Sequence, residues 1–116
     1  MPVINRAFER ELKKGSAELL LLSLLEARPR HGYELNKLIQ TRSGGQLTFH
    51  LDSLYPLLYR LEERRWIKGN WIENNGERRR RYYRLTAEGR RVLATHQKTW
   101  DTFVDAIRRI TQGEHA

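Results

Sequence analysis

No cysteine occurs in the chain, which excludes a disulfide framework and any thiolate-held metal. Histidine is scarce too. His31, His50, His96 and His115 fall at no ligand spacing, and none forms HExxH. There is no glycine-rich phosphate loop and no nucleophile elbow. The carboxylates are scattered among bases, with no pair that reads as acid and base. Neither an enzyme nor a cofactor is expected. Long apolar runs are also missing. The longest, within AELLLLSLL, lies in a stretch bounded by Glu18 and Glu26 and is far too short to span a bilayer, so no membrane-spanning segment is expected. The opening MPVINRAFERELKKGS is charged throughout, unlike a secretory leader, and together with the missing cysteines fits a cytoplasmic location.

Positive charge is what the chain does have. Its 116 residues hold 22 Lys and Arg against 14 Asp and Glu, a net +8. Residues 60 to 91 carry 11 of the bases and 5 of the acids, a net +6, which leaves the rest of the chain at +2. Charge concentrated in this way points to an acidic partner, with nucleic acid first and a membrane surface second.

The length suits one domain with one long accessory element. Ile4, Phe8 and Leu12, spaced i, i+4, predict a short amphipathic helix within residues 1–14. Gly15 and Ser16 predict a break, with Ser16 capping a second, nearly all-apolar helix over about residues 17–27. Arg28, Pro29 and Arg30 end it. Another helix is predicted over about 32–42, followed by the turn residues Ser43, Gly44 and Gly45. Leu51, Leu54, Leu58 and Leu61 then recur at helical spacing. Pro56 is tolerable there within the first turn, so the helix should start near Asp52 or Ser53, either of which can cap, and end near Arg65. Asn74, Asn75 and Gly76 read as a hairpin turn between strands in residues 70–85. Thr86 caps a last helix to about residue 111. On it Leu93, His96, Trp100, Phe103, Ile107 and Ile110 form a seam of coiled-coil period. So small a domain cannot cover a rod of that length, and a second copy of the chain is the simplest partner. Three helices, a hairpin and a long helix make a mainly α fold with a β-hairpin wing, the winged variant of the helix-turn-helix. The expected division is a winged-helix domain over 15–85, a dimerisation helix over 86–112 and a disordered tail over 113–116.

In such a fold the third helix enters the major groove, N-terminal turn first. Thr48, His50, Ser53 and Tyr55 lie at that end, with Arg60 further along. A core tyrosine is the alternative for Tyr55, a solvent-exposed loop residue for His50, and an ion pair with a nearby glutamate for Arg60. His31 is expected to fix a local turn. Strand alternation turns Arg78 and Arg80 one way and Arg79 and Arg81 the other. One pair then meets a minor groove or flanking phosphates, and the other binds acids of the protein or stays in water. Tyr82 or Tyr83 packs on the helices and holds the strand. Trp100, Phe103 and Ile107 are the expected dimer contacts; the alternative is a seam filled by Phe8 and Leu12 of the same chain, and both hold at once if the partner's first helix, with its Phe8 and Leu12, fills the groove. Trp66, Trp71 and Trp100 would line any apolar effector pocket, or simply pack.

The blocks GSAELLLLSLL, HGYEL, SLYPLLYRLEERRWI and GERRRRYYRLTAEG, in this order over roughly residues 14–95, resemble the PadR family of bacterial transcriptional regulators. The resemblance implies a winged helix-turn-helix that binds double-stranded DNA. It also implies a homodimer joined through N- and C-terminal helices, and in many members repression at a palindromic operator. Some members respond to a small-molecule effector, which the residues here do not name. On this resemblance Ser53 and Tyr55 open the recognition helix, Arg79, Arg80 and Arg81 form the basic wing, and Tyr83 closes it. Asp52 stands where many members have glycine, and the chain is similar to the branch with a single C-terminal helix. From the residues alone, an architectural DNA-binding protein and a winged-helix protein-contact module stay open beside the sequence-specific regulator.

Overall fold

The computed structural model describes residues 6–73, 76 and 78–113. Ile4, Asn74, Asn75, His115 and most of the expected tail lie outside the described residues. The elements are α1 (Arg6–Glu26), β1 (Arg30–His31), α2 (Gly32–Arg42), α3 (Leu51–Glu63), β2 (Ile67–Ile72), β3 (Arg80–Leu85) and α4 (Ala87–Gln112). The strands form one antiparallel sheet in the order β1-β3-β2, and the β2–β3 hairpin projects as the wing. This is the expected winged helix-turn-helix followed by a long helix.

The core forms where apolar faces of α1, α2 and α3 meet the sheet. Leu21, Leu22, Leu35, Leu54 and Leu58 are each at most 1% exposed. Leu54, Leu58 and Leu61 are the buried face of α3, so helical spacing turns the opposite side of that helix to solvent. Leu93 of α4, expected on the dimer seam, is 1% exposed and belongs to its own chain's core. That leaves it no surface to offer a partner.

Four local expectations are corrected. α1 runs unbroken through Gly15 and Ser16. Ser16 does not cap a new helix, because its Oγ donates to Leu12 O at 2.7 Å, one turn back within the same helix. A Cβ at Gly15 would meet open space, so nothing in the packing requires the glycine. α3 is not capped by Asp52 or Ser53. The N-cap is His50, which makes no side-chain cap bond. Pro56 therefore sits in the second turn rather than the first, and the Asp52 carbonyl loses its helical N–H partner on an exposed face where water can replace it. β1 was not expected at all. It pairs Arg30 with Tyr83 and His31 with Tyr82, and two residues are too few to show a period. Buried Arg30 is satisfied there, with Nε donating to Leu24 O at 2.7 Å and Nη1 to Glu34 at 3.0 Å. The hairpin also begins earlier than residue 70, at Ile67.

Two junctions set the wing's place. α3 closes with Arg65 N–H donating to Glu62 O and Trp66 N–H to Leu61 O, and Arg65 takes a φ of 64°, where glycine is usual. Thr86 Oγ1 reaches Arg65 O and Trp66 O, and accepts from Gly89 N–H at 3.0 Å as the N-cap of α4, as expected. One side chain thus ties together the end of α3, the root of the wing and the start of α4.

Candidate nucleic-acid interface

α2 and α3 pack as the two helices of the motif. The solvent face of α3 carries Asp52, Ser53, Tyr55, Pro56, Tyr59, Arg60 and Glu63, all exposed. Asp52 lies in the first turn, where the helix dipole favours a carboxylate. Thr48 and His50 are exposed just before it, and Thr48 O accepts from Lys13 Nζ. Arg60 is exposed and makes no ion pair among the described residues. The pairing with a glutamate weighed for it is therefore absent there.

Between α3 and the wing lies an open cleft of about 1000 Å³. Tyr55, Pro56, Tyr59 and Arg60 wall one side, Trp71 and Arg81 the other, with Tyr83 at its floor. A smaller hollow of about 340 Å³ runs past Tyr55 to His31 and Gly32 at the start of α2, and is lined by Arg78, Arg79, Arg80 and Arg81. Tyr55, Trp71, Arg81 and Tyr83 line both. The Tyr55 ring lies so close to Gly32 that a Cβ there would be 2.7 Å from Tyr55 Cε1. At 46% exposed, Tyr55 is a rim residue rather than a core one.

The wing splits the arginine run as strand alternation requires. Tyr83, 6% exposed, and Leu85 point into the core, and Arg81 shares their face. Tyr83 was expected among the contacting residues. Its side chain is instead mostly spent as the strand's anchor, and burial pushes its phenol pKa up. Arg81 donates to Glu62 at 2.5 Å and is 5.6 Å from the Trp71 ring centroid. Arg79, exposed, lies 4.7 Å from the same ring. On the other face Arg80 lies 5.8 Å from the Tyr33 ring. Arg78 is exposed.

His31 fixes the turn, as expected. Glu34 N–H donates to its Nδ1 at 3.1 Å, which caps α2, and its ring packs edge-on against Tyr82. Burial, then the positive charge of Arg80, holds its pKa below the ordinary 6.5, with Glu34 opposing and Arg28 adding.

Trp71, Tyr59, Tyr33 and Glu62 belong to this surface and were missed as site residues. Tyr59 was legible, since it lies four residues after Tyr55 on one helix. Trp71 was legible only once the hairpin register was known, because it faces Arg81 directly.

Away from the cleft, α4 buries Gly89 and Leu93 and no residue after them. Trp100, Phe103, Ile107 and Ile110 are 36%, 58%, 42% and 80% exposed, and Phe8 and Leu12 of α1 are 64% and 49% exposed. His96 packs edge-on against Trp66 of its own chain. A groove of about 530 Å³ between α1 and α4 is lined by Glu18, Leu19, His96, Trp100 and Phe103. Trp71 lines the wing cleft instead, so the three tryptophans do not share one pocket.

The model of the transcriptional regulator PadR-like family matches residues 21–95. The chain belongs to the PadR-like family. A PadR family transcriptional regulator of Eggerthella lenta is similar in structure, with a TM-score of 0.81 and 32% identity over 96% of this chain and 93% of that one. A transcriptional regulator of Clostridium thermocellum gives 0.81 and 29%, over 92% and 97%. An uncharacterised protein of Lysinibacillus sphaericus is 25% identical, over 89% of this chain and 94% of that protein. As a PadR-like protein the chain is a DNA-binding transcriptional regulator and not an enzyme. Among the described residues no helix is long and apolar enough to cross a membrane. The family match takes in α2, α3 and the wing. Phe8, Leu12, Trp100, Phe103, Ile107 and Ile110 all fall outside it.

Proposed function

We propose that this PadR-like chain is a homodimeric repressor that reads a palindromic operator in double-stranded DNA, and that a small-molecule effector relieves it. The convergence of exposed recognition-helix and wing side chains on one cleft carries the reading. α3 enters the major groove. Ser53 and Tyr55 bind phosphates beside the helix N-terminus, with Thr48, His50 and Arg60 in reach of base edges or backbone. Arg78, Arg79 and Arg80 of the wing follow the flanking backbone. The exposed stripe of Trp100, Phe103, Ile107 and Ile110, with Phe8 and Leu12, is covered by the second copy, which places two recognition helices about 34 Å apart, one turn of duplex. The groove between α1 and α4, with Trp100 and His96 in its wall, is where an apolar effector fits. Such a protein works in the cytoplasm, at the nucleoid.

The test is fluorescence anisotropy on a labelled duplex from the gene's own upstream region, against a scrambled duplex, across a salt series. Discrimination of about 10³-fold or more at about 0.15 M salt is expected. Equal, strongly salt-dependent binding to both would favour an architectural role. Binding to neither would favour a protein-contact module.

A further inference from the structure

The last turn of α3 turns one carboxylate toward the wing. Glu62 Oε2 accepts from Gly69 N–H at 3.1 Å and from Arg81 Nη2 at 2.5 Å. The side chains of Glu62 and Arg81 are 26% and 30% exposed, so the pair is half-desolvated. Gly69 leaves the passage open. A Cβ there would stand 2.5 Å from Arg81 Nε and 2.7 Å from its Cζ. The Arg81 guanidinium continues to the rings of Tyr83, at 5.8 Å, and Trp71, at 5.6 Å, and Trp71 in turn carries Arg79 at 4.7 Å. An unbroken series of contacts runs from the recognition helix to an exposed wing arginine.

We propose that Glu62 is a positioning residue which, through Arg81 and Trp71, sets the wing against α3, so that Arg79 meets the duplex and Arg81 does not. This rests on the DNA-binding reading above. If Arg81 left Glu62 for a phosphate, it would strand a half-buried carboxylate in a cleft that faces phosphates, an arrangement that opposes binding. With the pair intact, the acid has a use and the cleft keeps a defined width. Contact with the Trp71 ring, at 4.7 Å for Arg79 and 5.6 Å for Arg81, restricts the guanidiniums before any duplex arrives, which lowers the ordering entropy of binding.

The sign of the effect of Glu62→Gln decides the matter. An acid that merely sits near DNA repels it, and neutralising such an acid tightens binding. A positioning acid does the reverse. On a scrambled duplex of about 30 base pairs at about 0.05 M salt, Glu62→Gln is expected to weaken binding roughly tenfold. Gly69→Ala alters no charge and should do the same by displacing Arg81. The double variant Glu62→Gln with Arg81→Gln should bind no more weakly than Arg81→Gln alone. A readout without DNA is the ¹⁹F spectrum of protein labelled with 5-fluorotryptophan. The Trp71 resonance, assigned by its loss in Trp71→Phe, should shift in Glu62→Gln and in Gly69→Ala, with urea unfolding confirming that both variants fold. Wild-type affinity or tighter in both variants, or an unmoved Trp71 resonance, overturns the proposal. If the wild type binds neither this nor any other duplex, the DNA-binding reading falls and this proposal falls with it; the ¹⁹F shift then says only whether Glu62 and Trp71 are coupled.

Discussion

Replacing Gly32 by alanine puts a methyl group where the Tyr55 phenol now lies. The new Cβ would be 2.7 Å from Cε1, 2.9 Å from Cζ and 3.0 Å from the hydroxyl oxygen. Carbon–carbon contact is comfortable from about 3.5 Å, so the ring must withdraw by about 0.8 Å. Tyr55 is 46% exposed, and solvent gives it room to do so. The overpacking penalty should therefore sit at the low end, about 1 kcal/mol. The reduced freedom of the unfolded chain offsets about 0.4–1 kcal/mol of that. Folding stability should hardly change. DNA affinity should change more. A phenol hydroxyl moved by most of an ångström would lose the phosphate hydrogen bond proposed for it, and bonds to charged groups contribute about 1.5–3 kcal/mol, so affinity should fall at least tenfold. Tyr55→Phe removes the hydroxyl alone and should lose a similar amount with the ring in place. Urea unfolding measures the first quantity and anisotropy on the upstream duplex the second. Wild-type affinity in both variants would remove Tyr55 from the interface. A loss in Gly32→Ala without one in Tyr55→Phe would show that the ring matters and the hydroxyl bond does not.

Arg79→Ala should weaken binding to operator and scrambled duplex alike and lower the slope of log affinity against log salt by about 0.9, the signature of one phosphate. Phe103→Glu with Ile107→Glu should convert the proposed dimer to a monomer by sedimentation while the circular dichroism stays unchanged, since both residues are exposed in the single chain. Arg65→Gly should stabilise the protein by about 0.5–1 kcal/mol in urea, because Arg65 holds a φ of 64° that disfavours a side chain. His31 has a folded pKa below 6.5, so in acid the unfolded chain binds more protons than the folded one. Its contribution is fully present above pH 6.5 and is lost as the pH falls from there through the folded value. His31→Asn, which keeps a cap acceptor, should flatten the fall in stability between pH 7.5 and 5.5. An unchanged pH dependence would refute the assignment.

The periodic elements were legible before the fold was seen. Leucines at helical spacing located α3, Thr86 marked the start of α4, and a turn between alternating residues located the hairpin, because each signal is complete within a few neighbouring residues. The arginine run pointed to an acidic partner for the same local reason. What tertiary structure decided lies between segments. Gly15 and Ser16 read as a break, yet helix α1 continues, since Ser16 bonds back one turn and the apolar half beyond it is held by the core. β1 exists only because β3 offers it an edge. Leu93 follows the seam's spacing and still belongs to the core, because spacing alone does not say where along α4 the chain's own core ends. Four consecutive arginines are alike in sequence. A carboxylate on helix α3, a glycine that leaves a path and a tryptophan across the hairpin give Arg81 surroundings that Arg78 lacks, and those contacts span up to 19 residues of chain.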